Sequence, residues 1–329
     1  MSGILWPRDQ LFLTDAALAS LGNQCRDSFV KTCRRLEIAQ DLTPLLDALY
    51  LPLAAWLHTR RLEQRQTLVV GLCGAQGSGK STVGTLLKLV LEEGFAQRVV
   101  AFSLDDLYKT RADRQKMARE VHRLFATRGV PGTHDVDLGI ALIAALKSQG
   151  PGQVTVIPAF DKATDDRRSR ETWPIASGPV DTIIFEGWCV GARPQPEALL
   201  LNPVNELENS EDQAGIWRTA VNQALAGEYQ KLFSLIDVLL LLKIDRLERV
   251  FQWRRLQERK LAHAAVDAGI PEKDRRVMSP AQVSRFVMHY ERLTCHILSE
   301  MPPRADMVFF VDESHSPASV QINKPLVHS

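Results

Sequence analysis

The sequence predicts an α/β fold in which a doubly wound, mostly parallel sheet carries helices on both faces. Short apolar runs of strand length, such as TLVVGLC and PVDTIIFEGW, alternate with longer runs whose apolar residues recur at helical spacing. Polar residues directly follow most of the short runs, as expected where parallel strands end at one edge of a sheet. The first 66 residues contain no such strand run, so we expect a helical extension before the sheet.

The composition is that of an ordinary globular protein. The 329 residues are 45% hydrophobic, and 40 Lys and Arg against 39 Asp and Glu leave a net charge of +1. This balance predicts neither a nucleic-acid nor an acidic membrane partner, and it leaves the oligomeric state open. The N-terminus lacks a signal-peptide pattern and the most apolar later run, LIDVLLLLKI, is too short to span a bilayer, so we expect a cytoplasmic protein. The scattered cysteines, which form no C-x-x-C pair, agree with reduced thiols: Cys25, Cys33, Cys73, Cys189 and Cys295.

The predicted helical extension covers residues 1–66. Its leucines recur at helical intervals around Leu42 to Leu57, with a break expected near Pro52. Since no motif in this segment points to chemistry, we expect it to cover one face or edge of the sheet, a partner surface being the alternative.

The element at residues 67–93 joins an apolar strand, a glycine loop and a helix in that order. Gly74, Gly79, Lys80 and Ser81 fill the pattern G-x-x-x-x-G-K-[ST]. Glycines let backbone N–H groups approach a phosphate chain, the lysine reaches its β- and γ-phosphates, and the serine hydroxyl binds Mg²⁺. A chance glycine-rich turn is the alternative, but both flanks favour a site for a nucleoside triphosphate. The predicted nucleotide-binding residues are Gly74, Ala75, Gln76, Gly77, Ser78, Gly79, Lys80, Ser81 and Thr82.

The second predicted strand, RVVAFSL, ends at an acidic pair, Asp105 and Asp106. In open parallel sheets ligands bind outside the carboxyl ends of the strands, so a carboxylate there can face the phosphate loop. We assign Asp105 as the candidate base for an acceptor hydroxyl, with the other carboxylate capping the following turn. The alternative is that both residues only cap.

Two polar loops follow. The first contains RGVPGTHD, where Arg128, His134 and Asp135 combine a cation, a titratable donor and a carboxylate. This combination suits a small anionic ligand, although the glycines and proline equally predict a structural turn. The second loop follows a predicted third strand, QVTVIPAF, and contains Asp161, Lys162, Asp166, Arg167 and Arg168. It is either a solvated surface or part of a substrate site.

The fourth predicted strand, PVDTIIFEGW, places Glu186 where a carboxylate can steady Mg²⁺ beside the phosphate loop. A fifth strand, DVLLLLKI, leads into an arginine-rich helix that includes Arg254 and Arg255. Such arginines can close over a transferred phosphoryl group, or can form a solvated helix face. A last helix and the strand ADMVFFVDE complete a domain over residues 67–315, and residues 316–329 are predicted to form a tail that frays from Asn323.

Taken together, the strings GAQGSGKS, SLDDLY, RGVPGTHD, PAFDKA, FEGW and FQWRRLQE resemble the D-glycerate 3-kinases of plants and fungi and their bacterial relatives. That family lies within the phosphoribulokinase, uridine kinase and pantothenate kinase group of P-loop kinases. The resemblance runs from about Leu68 to the final strand, and YLPLAAWL in the extension is similar too. GAQGSGKS is shared by P-loop proteins at large, whereas RGVPGTHD together with FEGW is far more specific.

The resemblance implies a P-loop NTPase kinase fold and the phosphorylation of D-glycerate to 3-phosphoglycerate with ATP and Mg²⁺. It makes Lys80, Asp105, Glu186, Arg254 and Arg255 the catalytic residues. It implies metal ligation by Ser81, Asp105 and Glu186 and acceptor binding by Asp105, Tyr108, Arg128, His134, Asp135, Asp161, Lys162, Arg167 and Glu186. Other acceptors, namely pantothenate, a nucleoside or a sugar acid, and an ATP-binding regulatory protein without phosphotransfer are the alternatives. No N-K-x-D string supports a GTP switch.

Overall fold

The computed structural model describes residues 5–267, 278–312 and 316–326. Its helices are α1 (Asp15–Arg35), α2 (Thr43–Leu45), α3 (Leu51–Gln64), α4 (Lys80–Phe95), α5 (Arg111–Glu120), α6 (Val136–Ser148), α7 (Glu206–Glu211), α8 (Ile216–Ala226), α9 (Glu228–Phe233), α10 (Glu248–Asp267) and α11 (Pro280–Glu300). Its strands are β1 (Leu68–Gly74), β2 (Val99–Ser103), β3 (Val154–Val156), β4 (Phe160–Asp161), β5 (Asp166–Arg167), β6 (Ile175–Ser177), β7 (Thr182–Gly187), β8 (Val238–Lys243), β9 (Met307–Val311) and β10 (Pro317–Ile322). None of the helices in these ranges combines the length and apolar composition that a bilayer crossing needs.

The main sheet has six strands in the order β10-β9-β8-β1-β7-β2. All neighbours pair in parallel except β10, which runs antiparallel to β9 at one edge. The predicted mostly parallel sheet is therefore confirmed. Strand β1 lies between β7 and β8, so the glycine loop that follows it begins near the middle of the sheet.

Apolar side chains of β1 alternate between two cores, one on each face of the sheet. Leu68, Val70 and Leu72 contribute to a core shared with α1, α3 and α4. Val69 and Cys73 point to the opposite core, which α6, α9 and α11 cover. Helices cover both faces of the sheet, which suits its largely apolar central strands, and the doubly wound architecture is confirmed.

The N-terminal helices complete the first of these cores. Phe29 of α1 and Trp56 of α3 are fully buried in it beside Leu87 of α4. The expectation that this segment covers a face of the sheet agrees with that packing, while the boundary at residue 66 stays a prediction. The break expected near Pro52 is wrong, because a π-helix (Leu46–Tyr50) runs directly into α3. Proline is tolerated in the first turn of a helix, and here the π-helix precedes that turn.

The predicted third strand forms only in part, and outside the main sheet. Residues 154–156 pair with β6, and Phe160–Asp161 pairs with β5, in separate two-stranded ribbons outside the main sheet. Between these two pieces Pro158 cannot donate a ladder hydrogen bond, and Val154 is 63% exposed. The loop that follows is therefore carried by a hairpin rather than by a central strand.

The chain after residue 316 is more ordered than predicted. β10 pairs with β9, and the side-chain amide of Asn323 donates to the carbonyl oxygens of Pro302 at 2.6 Å and Ala305 at 2.9 Å. Leu326 is buried in the first core. The expected fraying from Asn323 is wrong up to residue 326, and residues 327–329 lie outside the described residues.

Candidate active site

Three neighbouring strands bring the predicted site residues to one edge of the sheet. The glycine loop follows β1, Glu186 lies near the end of β7, and Asp105 follows the end of β2. Register places Cys73 opposite Gly187 and Ser103 opposite Glu186. The strand ends are therefore level, as expected for ligand sites of open parallel sheets.

The glycine loop has the geometry of a phosphate cradle. Gly77 and Gly79 have φ values of +79° and +87°, a left-handed conformation in which a side chain is strained. A Cβ on Gly74 would lie only 2.7 Å from the Ser78 hydroxyl oxygen. The Lys80 ammonium folds over the loop and donates to the carbonyl oxygen of Ala75 at 3.0 Å. The loop and the N-terminus of α4 thus fit the triphosphate of a nucleotide.

Ser81 and Glu186 are in contact, and their side-chain oxygens fit the ligands that a nucleotide-bound Mg²⁺ prefers. The Ser81 hydroxyl donates to Glu186 Oε1 at 2.9 Å. Hydroxyl and carboxylate oxygens suit Mg²⁺, which retains several waters and needs few protein ligands. In the described residues no cluster of three or more His, Cys, Asp or Glu side chains has metal-binding geometry, so Asp105 as a further ligand stays a prediction.

Asp105 is held between two donors. The Tyr108 hydroxyl donates to its Oδ1 at 2.9 Å, and the Lys162 ammonium lies 2.6 Å from its Oδ2. Burial raises the pKa of Asp105, but Lys162, the hydrogen bonds and His134 together outweigh burial and lower it. The carboxylate is therefore ionised, as a base or hydroxyl-orienting group must be, and its side chain remains 27% exposed.

Asp106 caps the turn that follows β2. Its Oδ2 accepts a hydrogen bond from the backbone N–H of Ser103 at 3.0 Å, and the two residues form a capping box. Burial raises the pKa of Asp106. The prediction that one carboxylate of this pair is a cap is confirmed, which leaves Asp105 as the candidate for chemistry.

His134 lies beneath the site rather than at its surface. The side chain is fully buried, its Nδ1 is 2.5 Å from the Tyr229 hydroxyl, and its ring stacks on Tyr108 with 4.6 Å between centroids. Burial lowers the pKa of His134 to about 3, so the imidazole is neutral at pH 7. Its position supports Tyr108 from below, and direct contact with an acceptor stays a prediction.

We expect His134 to make the protein less stable in mild acid. The unfolded chain binds this proton near pH 6.5 and the folded protein only near pH 3, so the free energy of unfolding falls as pH decreases through that window. Between about pH 7 and about pH 5 the loss due to His134 is about 2 kcal/mol. Urea unfolding at both values should show a correspondingly smaller pH effect in His134→Phe, which keeps a ring against Tyr108. An equal pH effect in the two proteins would contradict this assignment.

Asp135 and Arg167 are partners of each other. Asp135 caps α6 by accepting the N–H of Leu138 at 3.1 Å, and its other oxygen lies 3.2 Å from the Arg167 guanidinium. Arg167 also donates to the carbonyl oxygen of Tyr108 at 3.0 Å. These contacts stabilise the backbone under Tyr108, and an acceptor contact by either residue stays a prediction.

Asp161 belongs to the hairpin of β4 and β5, and Arg128 contacts this hairpin from the RGVPGTHD loop. Asp161 closes the hairpin turn by accepting the N–H of Ala163 at 2.9 Å, and Arg128 pairs with Asp165. The nearly buried Arg114 pairs with the same carboxylate at 3.0 Å. Arg114 and Asp165 were not predicted, because each stands in a charge-rich segment that reads as solvated. Acceptor binding by Arg128 and Asp161 stays a prediction.

Two aromatic residues hold the RGVPGTHD loop in place. The Trp188 indole donates to the carbonyl oxygen of Gly129 at 2.8 Å, and the Tyr290 hydroxyl donates to that of Arg128 at 3.1 Å. Trp188 belongs to the FEGW string, so the family resemblance could have drawn attention to it. Tyr290 belongs to α11, and no sequence motif around it indicated a role at this loop.

Helix α10 lies against the glycine loop. A Cβ on Gly77 would be 3.0 Å from the Cβ of Trp253, which is 7% exposed. Arg254 has its guanidinium carbon 5.1 Å from the centre of the Phe286 ring, whereas Arg255 is exposed. The helix is therefore placed as a cover for the loop, and closure of these arginines over a phosphoryl group stays a prediction.

No family model matches the sequence, but several curated proteins do. The chain is 34% identical over 245 residues to an uncharacterized kinase of Schizosaccharomyces pombe, covering 71% of this chain and 82% of that protein. It is 26% identical over 288 residues to the chloroplastic D-glycerate 3-kinase of Arabidopsis thaliana, covering 82% of this chain but only 59% of the plant protein. Since that relative is chloroplastic, a cytoplasmic location stays a prediction.

The fold also matches a solved structure. The D-glycerate 3-kinase of Cryptococcus neoformans aligns over 84% of this chain and 99% of its own, with a TM-score of 0.68 and 24% sequence identity. At this identity the match concerns the fold, and it supports the predicted P-loop kinase architecture.

Proposed function

Because this chain belongs to the family of P-loop kinases that contains the fission yeast kinase and the plant D-glycerate 3-kinase, we propose that it phosphorylates D-glycerate with ATP. The products are 3-phosphoglycerate and ADP. The observation that carries the proposal is the ionised Asp105 on the strand end beside the Ser81–Glu186 pair. A regulatory protein that only binds a nucleotide needs the glycine loop, but it does not need an ionised carboxylate that can accept a proton at that position.

In this proposal the protein acts mainly by positioning and charge stabilisation. The loop N–H groups and Lys80 hold the β- and γ-phosphates, and Ser81 and Glu186 hold the magnesium ion, which neutralises phosphate charge when bound. Asp105 orients the primary hydroxyl of the acceptor and accepts its proton. The hydroxyl oxygen bonds to the γ-phosphorus as the bond to the β–γ bridging oxygen breaks, and ADP leaves with that oxygen. Arg254 and Arg255 close over the γ-phosphoryl group during its transfer and stabilise the charge that develops on it.

The test is magnesium-dependent ADP release by the purified protein with D-glycerate, L-glycerate, pantothenate, uridine or no acceptor. Stimulation by D-glycerate alone, with 3-phosphoglycerate as the product, is the expected result. Stimulation only by another acceptor would reassign the substrate within the same mechanism. ATP binding without stimulation by any of these acceptors would favour a regulatory role.

A further inference from the structure

The predicted acceptor site contains cations with very different surroundings. The Arg167 guanidinium, 20% exposed, is engaged by Asp135 and by the carbonyl oxygen of Tyr108. Lys162 is 63% exposed, and among the described residues its ammonium makes a single ion pair, with Asp105. Of these two side chains, Lys162 has fewer contacts to give up for a ligand.

Arg128 is the strongest competitor, because Arg114 shares its partner Asp165 and two cations therefore face one carboxylate. Its guanidinium carbon, however, lies 5.5 Å from the centre of the Phe160 ring, and it pairs with Asp165 in the hairpin turn. These contacts hold Arg128 against the hairpin, and among the described residues no ion pair joins it to Asp105. Lys162 contacts Asp105 directly, at 2.6 Å.

We propose that Lys162 is the cation that binds the acceptor's carboxylate, and that it exchanges Asp105 for that carboxylate when the acceptor binds. The inference rests on the proposed function. In glycerate a single carbon separates the hydroxymethyl carbon from the carboxyl carbon, so a hydroxyl at Asp105 brings the carboxylate close to any group that touches Asp105. The Lys162 ammonium is such a group, and its long stem lets it turn between the two carboxylates.

This position selects short hydroxy acids. In pantothenate the carboxylate lies many bonds from the primary hydroxyl, and a nucleoside such as uridine has no carboxylate.

The experiment compares D-glycerate with glycerol, which carries the same hydroxymethyl group but no carboxylate. In Lys162→Met we expect kcat/KM for D-glycerate to fall by about 10- to 100-fold more than kcat/KM for glycerol, the range for a lost hydrogen bond to a charged group. Lys162→Arg should restore much of the preference. The exposed Lys31 of α1 supplies the control, and Lys31→Met should retain both activities.

The comparison of two acceptors separates carboxylate binding from a role in holding Asp105, because the latter would lower both activities equally. Equal losses, or an unchanged preference for D-glycerate, would overturn the inference. So would loss of the preference in Arg128→Met with its retention in Lys162→Met. If the unchanged protein were not stimulated by D-glycerate at all, the proposed function would fail and this inference with it.

Discussion

Replacing Asp105 with Asn is expected to lower turnover by about 10²- to 10⁴-fold while ATP binding stays near normal. The carboxamide has almost the same shape but cannot accept the proton of the acceptor hydroxyl. It also lacks the negative charge to which the Tyr108 hydroxyl and the Lys162 ammonium are bound in the unchanged protein. Because Asp105 follows β2 and the glycine loop follows β1, the loop geometry should not change.

Steady-state turnover and equilibrium binding of ATP check this prediction. The neighbouring carboxylate provides the matched control, since an Asn at position 106 still offers an oxygen to the Ser103 N–H. Asp106→Asn should therefore retain turnover within a few-fold, roughly the effect of a weakened cap. Normal turnover in Asp105→Asn would remove its assignment as the base.

Lys80→Ala is expected to weaken nucleotide binding and to lower turnover by about 10²- to 10³-fold, as removal of a preorganised charge-stabilising donor does. Lys80 begins α4, and its ammonium bonds back to the carbonyl oxygen of Ala75 within the loop. Any phosphate held by the loop therefore lies within its reach. Alanine keeps the helix but removes the only side-chain cation in the predicted nucleotide-binding residues 74–82.

Calorimetric titration with ATP and Mg²⁺ measures the binding loss, and ADP release measures the turnover. Lys88 is a suitable control, because it lies on the same helix and pairs with Glu92 away from the loop. Lys88→Ala should bind ATP as the unchanged protein does. Equal ATP affinity in Lys80→Ala and the unchanged protein would contradict the assignment of Lys80 to the phosphates.

Local patterns were enough to predict the strand, loop and helix that form the nucleotide site. A phosphate cradle needs backbone conformations that only glycine adopts easily, and the apolar spacing of the flanking segments predicts a strand on one side and a helix on the other. Everything needed to predict the nucleotide site therefore lies within residues 67–93. The same reasoning placed Asp105 and Glu186 at strand ends, because parallel strands share an edge for their carboxyl termini. It also identified the sheet as mostly parallel and covered on both faces.

The roles of the polar residues around the acceptor site depended on contacts far apart in the chain. Asp106 and Asp105 look alike in sequence, and only the bond from the Ser103 N–H marks Asp106 as the cap. His134 reads as a surface donor until its burial against Tyr229, 95 residues away, is seen. Pattern analysis likewise predicted one strand over residues 153–160, whereas the structure divides this segment between two small ribbons, because strand propensity does not say which partner a strand finds.

The sequence by itself therefore determined the nucleotide loop and the fold that carries it, and tertiary structure decided which charges around the acceptor are already neutralised. The physical reason is that a phosphate cradle is a property of consecutive backbone groups, whereas the availability of a cation depends on partners from other elements. Arg167 and Lys162 have the same charge and stand in the same hairpin. Asp135 of another segment engages the first, and the second is left facing Asp105.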